Sequence, residues 1–196
     1  MTERFGKRVF WCLFLIVVGG GSYLLANNWG GTVGGWNIQL EFERHIPFIP
    51  ATIFIYWLIF PYLATPVFTV KKYEDFFKVI CGYLVTTFVS ASVFFLFPTT
   101  MARPELAADS WLKPLFEAIY FLDGPYNLFP SLHVSSVSYV GFVNWRFCER
   151  FRIPSVLSAI LICLSTLTVK QHAVLDVIGG LAVGWSAFYV FFGRRE

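Results

Sequence analysis

The chain alternates long apolar runs with short segments that hold most of its charges. Six runs are nearly free of charge: Val9 to Ala26, Pro47 to Val70, Val79 to Phe97, Pro130 to Trp145, Ile153 to Val169 and Ala173 to Phe192. A bilayer core takes about 20 predominantly apolar residues per helix. Runs of this length predict an all-α polytopic membrane protein, a six-transmembrane-helix bundle forming a single domain over residues 1–196. The first run sits where a signal peptide would, but Gly19-Gly20-Gly21-Ser22-Tyr23-Leu24 is a poor cleavage site and the apolar stretch is long, which predicts a retained span.

Composition points the same way. With 57% hydrophobic and only 14% charged residues in 196, the chain lacks the polar surface that a soluble domain of this size needs. The basic residues give an orientation. Arg4, Lys7, Arg8, Lys71, Lys72, Lys78, Arg146, Arg150, Arg152, Arg194 and Arg195 fall on one side, leaving Arg44, Arg103, Lys113 and Lys170 on the other. Both termini are therefore expected in the cytoplasm, with the other face towards the periplasm or an equivalent lumen; a bacterial inner membrane fits. The net charge of +3 reports this topology and does not suggest nucleic acid. Membrane lipids are the expected surroundings, and the oligomeric state is left open.

Cys12 and Cys163 fall within spans and Cys81 and Cys148 near cytoplasmic ends, so no disulfide is expected. No CxxC or Cys/His spacing suggests a metal site. Trp29 and Trp36 suit an interfacial belt, and the outer loop from Pro98 to Tyr126, with Trp111, Phe116, Tyr120 and Phe121, is expected to lie on the membrane and roof a site. Gly180 and Gly184 form a GxxxG pair suited to helix packing inside the bundle.

An Asp at the centre of a membrane helix costs roughly 2.5–3.5 kcal/mol on insertion scales, so ionisable groups in such spans point to function. Here they gather at one face. Arg103 follows the third span, Ser131 and His133 open the fourth, and His172 and Asp176 flank the turn between the fifth and sixth. On a helix, i and i+4 are neighbours, so Asp176 can hold one imidazole nitrogen of His172 and leave the other free to attack. His133 lies near a helix start, where free N–H groups favour anions. Ser131 is suited both to cap that helix and to face an anion. By contrast, His45 has no partner at a telling spacing and reads as a wet interfacial residue.

Three stretches carry a family resemblance: Leu96 to Pro104, Pro130-Ser131-Leu132-His133, and Ser165-Thr166 through His172 to Asp176. They resemble the signatures KxxxxxxRP, PSGH and SRxxxxxHxxxD of the type 2 phosphatidic acid phosphatase (PAP2) superfamily. Three positions depart from the pattern, with Leu96 for Lys, Leu132 for Gly and Thr166 for Arg. The PSLH and KQHxxxD forms are similar to the branch that includes inositol phosphorylceramide synthase and small bacterial relatives. The resemblance implies His172 as a nucleophile forming a phosphohistidine, Asp176 as its orienter, His133 as general acid, and Arg103 with Ser131 as phosphate binders. Ser165 and Thr166 read equally as phosphate contacts or as hydroxyls bonded back to their helix. Lys170 reads either as an interfacial anchor or as a replacement for a missing motif cation. The resemblance further implies a metal-independent enzyme without a cofactor.

The function expected is hydrolysis of a lipid phosphomonoester or diphosphate. One alternative is head-group transfer to an alcohol through the same intermediate, and another is a non-enzymatic lipid-binding or transport protein. The orientation is testable. A cysteine introduced at Ala107 is expected to react with an impermeant thiol reagent in intact cells, above the background of the four native cysteines; labelling only after lysis would reverse the topology.

Overall fold

The computed structural model describes residues 2–193. Arg194 and Arg195, counted above among the inner basic residues, lie outside the described residues, as does the side chain of Arg4. The chain folds into α1 (Thr2–Val33), three short helices α2 (Ile53–Trp57), α3 (Ile59–Leu63) and α4 (Pro66–Thr69), then α5 (Tyr73–Leu96), α6 (Lys113–Leu122), α7 (Leu132–Phe147), α8 (Arg152–Thr168) and α9 (Val174–Phe192). Short 3-10 turns precede α2 at Glu41–His45 and Pro50–Thr52, and another, Glu149–Phe151, precedes α8.

Among the described residues, five segments are long and apolar enough to cross a membrane: Phe5–Val33, Pro50–Thr69, Tyr73–Leu96, Glu149–Thr168 and Val174–Phe192. Each overlaps one of the six expected spans. The second is broken into α2, α3 and α4, with Pro66 opening α4, because proline lacks the N–H that would continue the ladder.

The remaining expected span, α7, has 16 residues. It is therefore only about 24 Å long, short of a hydrocarbon core of about 30 Å. It need not be apolar, because protein surrounds it. Val134, Ser135, Ser136, Val137, Ser138, Tyr139 and Asn144 are all buried, and α7 packs against α9, α8, α5 and the broken second span.

In hydrocarbon, polar groups must find partners within the protein. Asn144 of α7 does so completely: its Nδ2 donates to Thr65 Oγ1 at 2.8 Å and Ser155 Oγ at 3.0 Å, while Oδ1 accepts from Thr69 Oγ1 at 2.7 Å. Tyr62 completes this knot through Ser155 Oγ at 2.9 Å. Around it lies an apolar core that includes Tyr62, Phe76, Ile80, Tyr139, Val143, Ile162 and Phe192. A second cluster of Ile53, Tyr56, Leu112, Phe116, Ile119 and Val169 seats α6 against α2 and the end of α8.

Small residues let α7 and α9 approach closely. A Cβ added at Gly180 would lie 2.7 Å from the Ser131 carbonyl oxygen, and one at Gly184 would meet the Ser135 carbonyl oxygen at 2.5 Å. The GxxxG pair thus packs inside the bundle. At one end of the molecule Arg8 donates to the carbonyls of Val67 and Lys71. At the other end, α1 reaches the segment before α7, where Asn27 donates to the carbonyls of Gly124 and Tyr126. Isolated β-bridges, Trp36 with Thr99 and Thr100 with Tyr126, fasten the loops at that second end.

Gly184→Val should overpack the α7–α9 contact at a cost of about 1–3 kcal/mol. A lower unfolding temperature in detergent is expected, and an unchanged midpoint would reject this contact as close-packed.

Candidate active site

The end of the bundle opposite Arg8 collects the N-terminus of α7, the C-terminus of α8 and the N-terminus of α9. Ser131 caps α7, its Oγ accepting from Val134 N–H at 3.1 Å, and its own N–H donates to the Asp176 carbonyl at 3.0 Å. This backbone bond ties the start of α7 to the first turn of α9. His133, second residue of α7, is thereby brought against the turn that carries His172.

That turn has a defined cause. Lys170 adopts a left-handed conformation, with φ of 57°. Gln171 N–H then donates to the Thr166 carbonyl at 2.9 Å and Lys170 N–H to the Leu167 carbonyl at 3.3 Å, the pair of bonds of a Schellman end. His172 N–H joins them on the Thr166 carbonyl at 3.2 Å. A left-handed non-glycine residue costs about 1–2 kcal/mol, so a lysine here is held by something beyond backbone preference. Its Nζ donates to the Ile46 carbonyl at 2.6 Å and the Glu43 carbonyl at 3.4 Å. An ammonium has three donors, and one is left over for an anion.

His172 and Asp176 meet, but not as two turns of one helix. The helix α9 begins at Val174, so His172 stands ahead of it. Asp176, in the first turn, reaches back: its Oδ2 accepts from Ala173 N–H at 2.7 Å and lies 3.4 Å from His172 Nδ1. The latter contact is within ion-pair range without hydrogen-bond geometry, and His172 Nδ1 and Asp176 Oδ1 are buried without a hydrogen bond. Catalytic contacts are often loose in the resting state and tighten with substrate. On the other side of the ring, His172 Nε2 is 3.3 Å from His133 Nδ1, and His133 Nε2 is 3.0 Å from the Tyr56 hydroxyl. Asp176, His172, His133 and Tyr56 thus form one row of polar groups, with side chains nearly shut off from solvent at Asp176 and His172.

Arg103 is held beside this row. Its guanidinium donates to the carbonyls of Asp123 and Gly124, lies 3.6 Å from the Asp123 carboxylate and rests over the Tyr120 ring at 5.0 Å. Tyr23 of α1 donates to the Asp123 carboxylate. Ser165 Oγ and Thr166 Oγ1 each donate to their own helix, at the carbonyls of Ile162 and Cys163, both at 2.7 Å. Thr166 serves the site through its carbonyl. Leu96, at the position of the motif lysine, is 85% exposed on the outside of α5.

Three side chains here escape a reading of motifs. Tyr56 lies in an aromatic-rich span with nothing local to mark it. Asp123 is a single acid between Leu122 and Gly124, and its burial is the signal, visible only in the fold. Glu43 sits in a run of charges, Glu41-Phe42-Glu43-Arg44, that reads as solvated.

The fold and site together describe an integral membrane protein, an all-helical bundle with a His-His-Asp row and a buried Arg at one end. The family model of the PAP2 superfamily matches residues 34–190, and the chain belongs to that superfamily. Membership supports a phosphatase-type activity in an integral membrane protein. No curated protein and no solved structure matches the chain.

Tyr56→Phe removes the hydroxyl that holds His133 Nε2. A lost hydrogen bond of about 1 kcal/mol predicts turnover of a phosphate ester lower by roughly three- to tenfold. Steady-state phosphate release checks this, and an unchanged rate would exclude Tyr56 from the row.

Proposed function

We propose that the protein is a membrane lipid phosphatase that hydrolyses a phosphomonoester or diphosphate through a phosphohistidine on His172. The observation that carries this reading is the division of the His172 ring, whose Nδ1 faces the buried Asp176 while Nε2 faces His133. A carboxylate beside Nδ1 fixes the tautomer and supports the positive charge that the ring acquires on attack.

In the first step Nε2 attacks phosphorus, the bond from phosphorus to the lipid oxygen breaks, and His133 donates a proton to the leaving oxygen. In the second step water attacks the phosphohistidine, His133 takes a proton from it, and phosphate departs from Nε2. His172 Nε2 and His133 Nδ1 are 3.3 Å apart at rest, which leaves no space between them for a phosphoryl group, so substrate entry must part them. Tyr56 then retains His133 by its far nitrogen.

Positive charge must meet the phosphoryl oxygens. Arg103 is the nearest candidate, since a guanidinium matches phosphate bidentately. Its ion pair with Asp123 holds it in place before substrate arrives. At the α7 N-terminus Ser131 takes the Val134 N–H, and the N–H groups of Leu132 and His133 have no partner among the described residues; such donors favour an anion. Lys170 contributes through its remaining donor. Ser165 and Thr166 support the turn. The exposed apolar helices keep the substrate's chains in the bilayer, with the site proposed to face outwards.

His172→Ala should lower phosphate release from a panel of lipid phosphates and diphosphates by at least roughly 10³-fold, with the protein still folded. The wild type should yield an acid-labile phosphoenzyme that the variant lacks. Near wild-type turnover in the variant would reject the covalent route, and product analysis with an added alcohol separates hydrolysis from transfer.

A further inference from the structure

The segment after α1 runs alongside the turn between α8 and α9. Thr52 Oγ1 lies 2.7 Å from Thr168 Oγ1, and Ile49 N–H donates to the Thr168 carbonyl at 2.9 Å. Further along, Lys170 Nζ meets the carbonyls of Ile46 and Glu43. At the end of this strap, Val174 N–H donates to Glu43 Oε2 at 3.0 Å, while Glu43 Oε1 accepts from Leu40 N–H at 2.9 Å. Glu43 is 4% exposed, whereas the side chains of its neighbours Glu41 and Arg44 pair with each other on the surface.

A buried carboxylate is retained only where its oxygens are satisfied, and here two backbone N–H groups satisfy it. The first N–H groups of a helix have no partner within it, and a negative group there is favoured by the helix dipole. At α9 the work is divided. Asp176 takes the Ala173 N–H and Glu43 takes the Val174 N–H. The division matters for the nucleophile, because Asp176 is the other carboxylate able to cap this turn. With Glu43 present, Asp176 can serve His172.

We propose that Glu43 is a positioning residue for the His172–Asp176 pair, acting with Lys170 to clamp the α8–α9 turn against the segment after α1. The clamp rests on the phosphoryl-transfer reading above, since it concerns that reaction's nucleophile. Without Glu43, the Asp176 carboxylate turns towards the free Val174 N–H and away from His172 Nδ1. A misplacement of about 1 Å at a reacting group can cost on the order of 100-fold in rate.

The test uses the full chain in detergent or vesicles, with the lipid phosphate that the wild type turns over best. Glu43→Ala should lower kcat by roughly 10- to 100-fold with KM within about threefold, and amides 173–177 should exchange hydrogen faster. Glu43→Gln keeps one accepting oxygen and should recover part of the rate. Lys170→Gly removes the ammonium while easing the left-handed backbone, and should quicken exchange over the same amides. Glu41→Ala is the surface control, expected within about twofold of wild type.

Wild-type kcat and exchange in Glu43→Ala would overturn the clamp. So would faster exchange with unchanged kcat, which leaves only a structural cap, or a raised KM at constant kcat, which places Glu43 in substrate binding. A wild-type protein that turns over no lipid phosphate refutes the reading of the function. Hydrogen exchange in the variants then shows only whether Glu43 holds the turn, and its role in positioning a nucleophile falls with that reading.

Discussion

The close approach of α7 and α9 is the contact on which the rest depends. Gly180 and Gly184 leave room for the α7 backbone, and the Ser131 N–H reaches the Asp176 carbonyl. Two helix beginnings are thereby set side by side. One supplies His133 and the other Asp176, with His172 on the turn before it. Side chains larger than hydrogen at the two glycines would separate these helices, and the row of polar groups would open with them. In a bilayer, where lipid is as apolar as leucine, association rests on such close packing and on hydrogen bonds between helices.

Burying the site's charged groups inside this packing requires that each find a partner. Arg103 has Asp123, with both side chains about nine-tenths buried, and Asp123 is held in turn by Tyr23 from α1. The long first helix, which otherwise packs mainly on α5, so contributes to the site at a distance. Asp176 is shared between the Ala173 N–H and the His172 ring. Among the buried side-chain atoms without a hydrogen bond are His172 Nδ1, Asp176 Oδ1 and both amide atoms of Gln171, alongside atoms of Trp57, Ser90 and Asn127 elsewhere.

The departures from the superfamily's motifs gain a physical description. Leu96 points outwards from α5, so its position supplies nothing to the histidines. Thr166 bonds to its own helix and offers its carbonyl to two N–H groups of the turn between α8 and α9. Lys170, placed two residues before His172, is wound into the left-handed end of α8 and anchored to the segment after α1. The cation in this part of the chain thus shapes the turn as well as adding charge near it.

Much of this was legible in the chain itself. Lengths of apolar runs depend on hydrocarbon thickness, a property of the solvent, so five spans emerged with limits no more than seven residues from those observed. His133, His172 and Asp176 were legible because ionisable groups in such runs are costly and their spacing is local. The i to i+4 spacing predicted contact correctly but for the wrong reason, since Asp176 reaches back across a helix start instead of along a helix. The 16-residue α7 passed as a span from its lack of charge, whereas its burial on all sides explains its serines and Asn144. Glu43, Tyr56 and Asp123 were not legible, because each acts on a partner more than 60 residues away, or in the case of Asp123 on Arg103 and Tyr23, and local pattern carries no record of such pairs. The sequence by itself determined the membrane class and singled out the candidate site residues, which depend on local chemistry. Which carboxylate caps α9 and which orients His172 was decided only by tertiary packing, because a hydrogen bond is a matter of which groups the fold brings within about 3 Å.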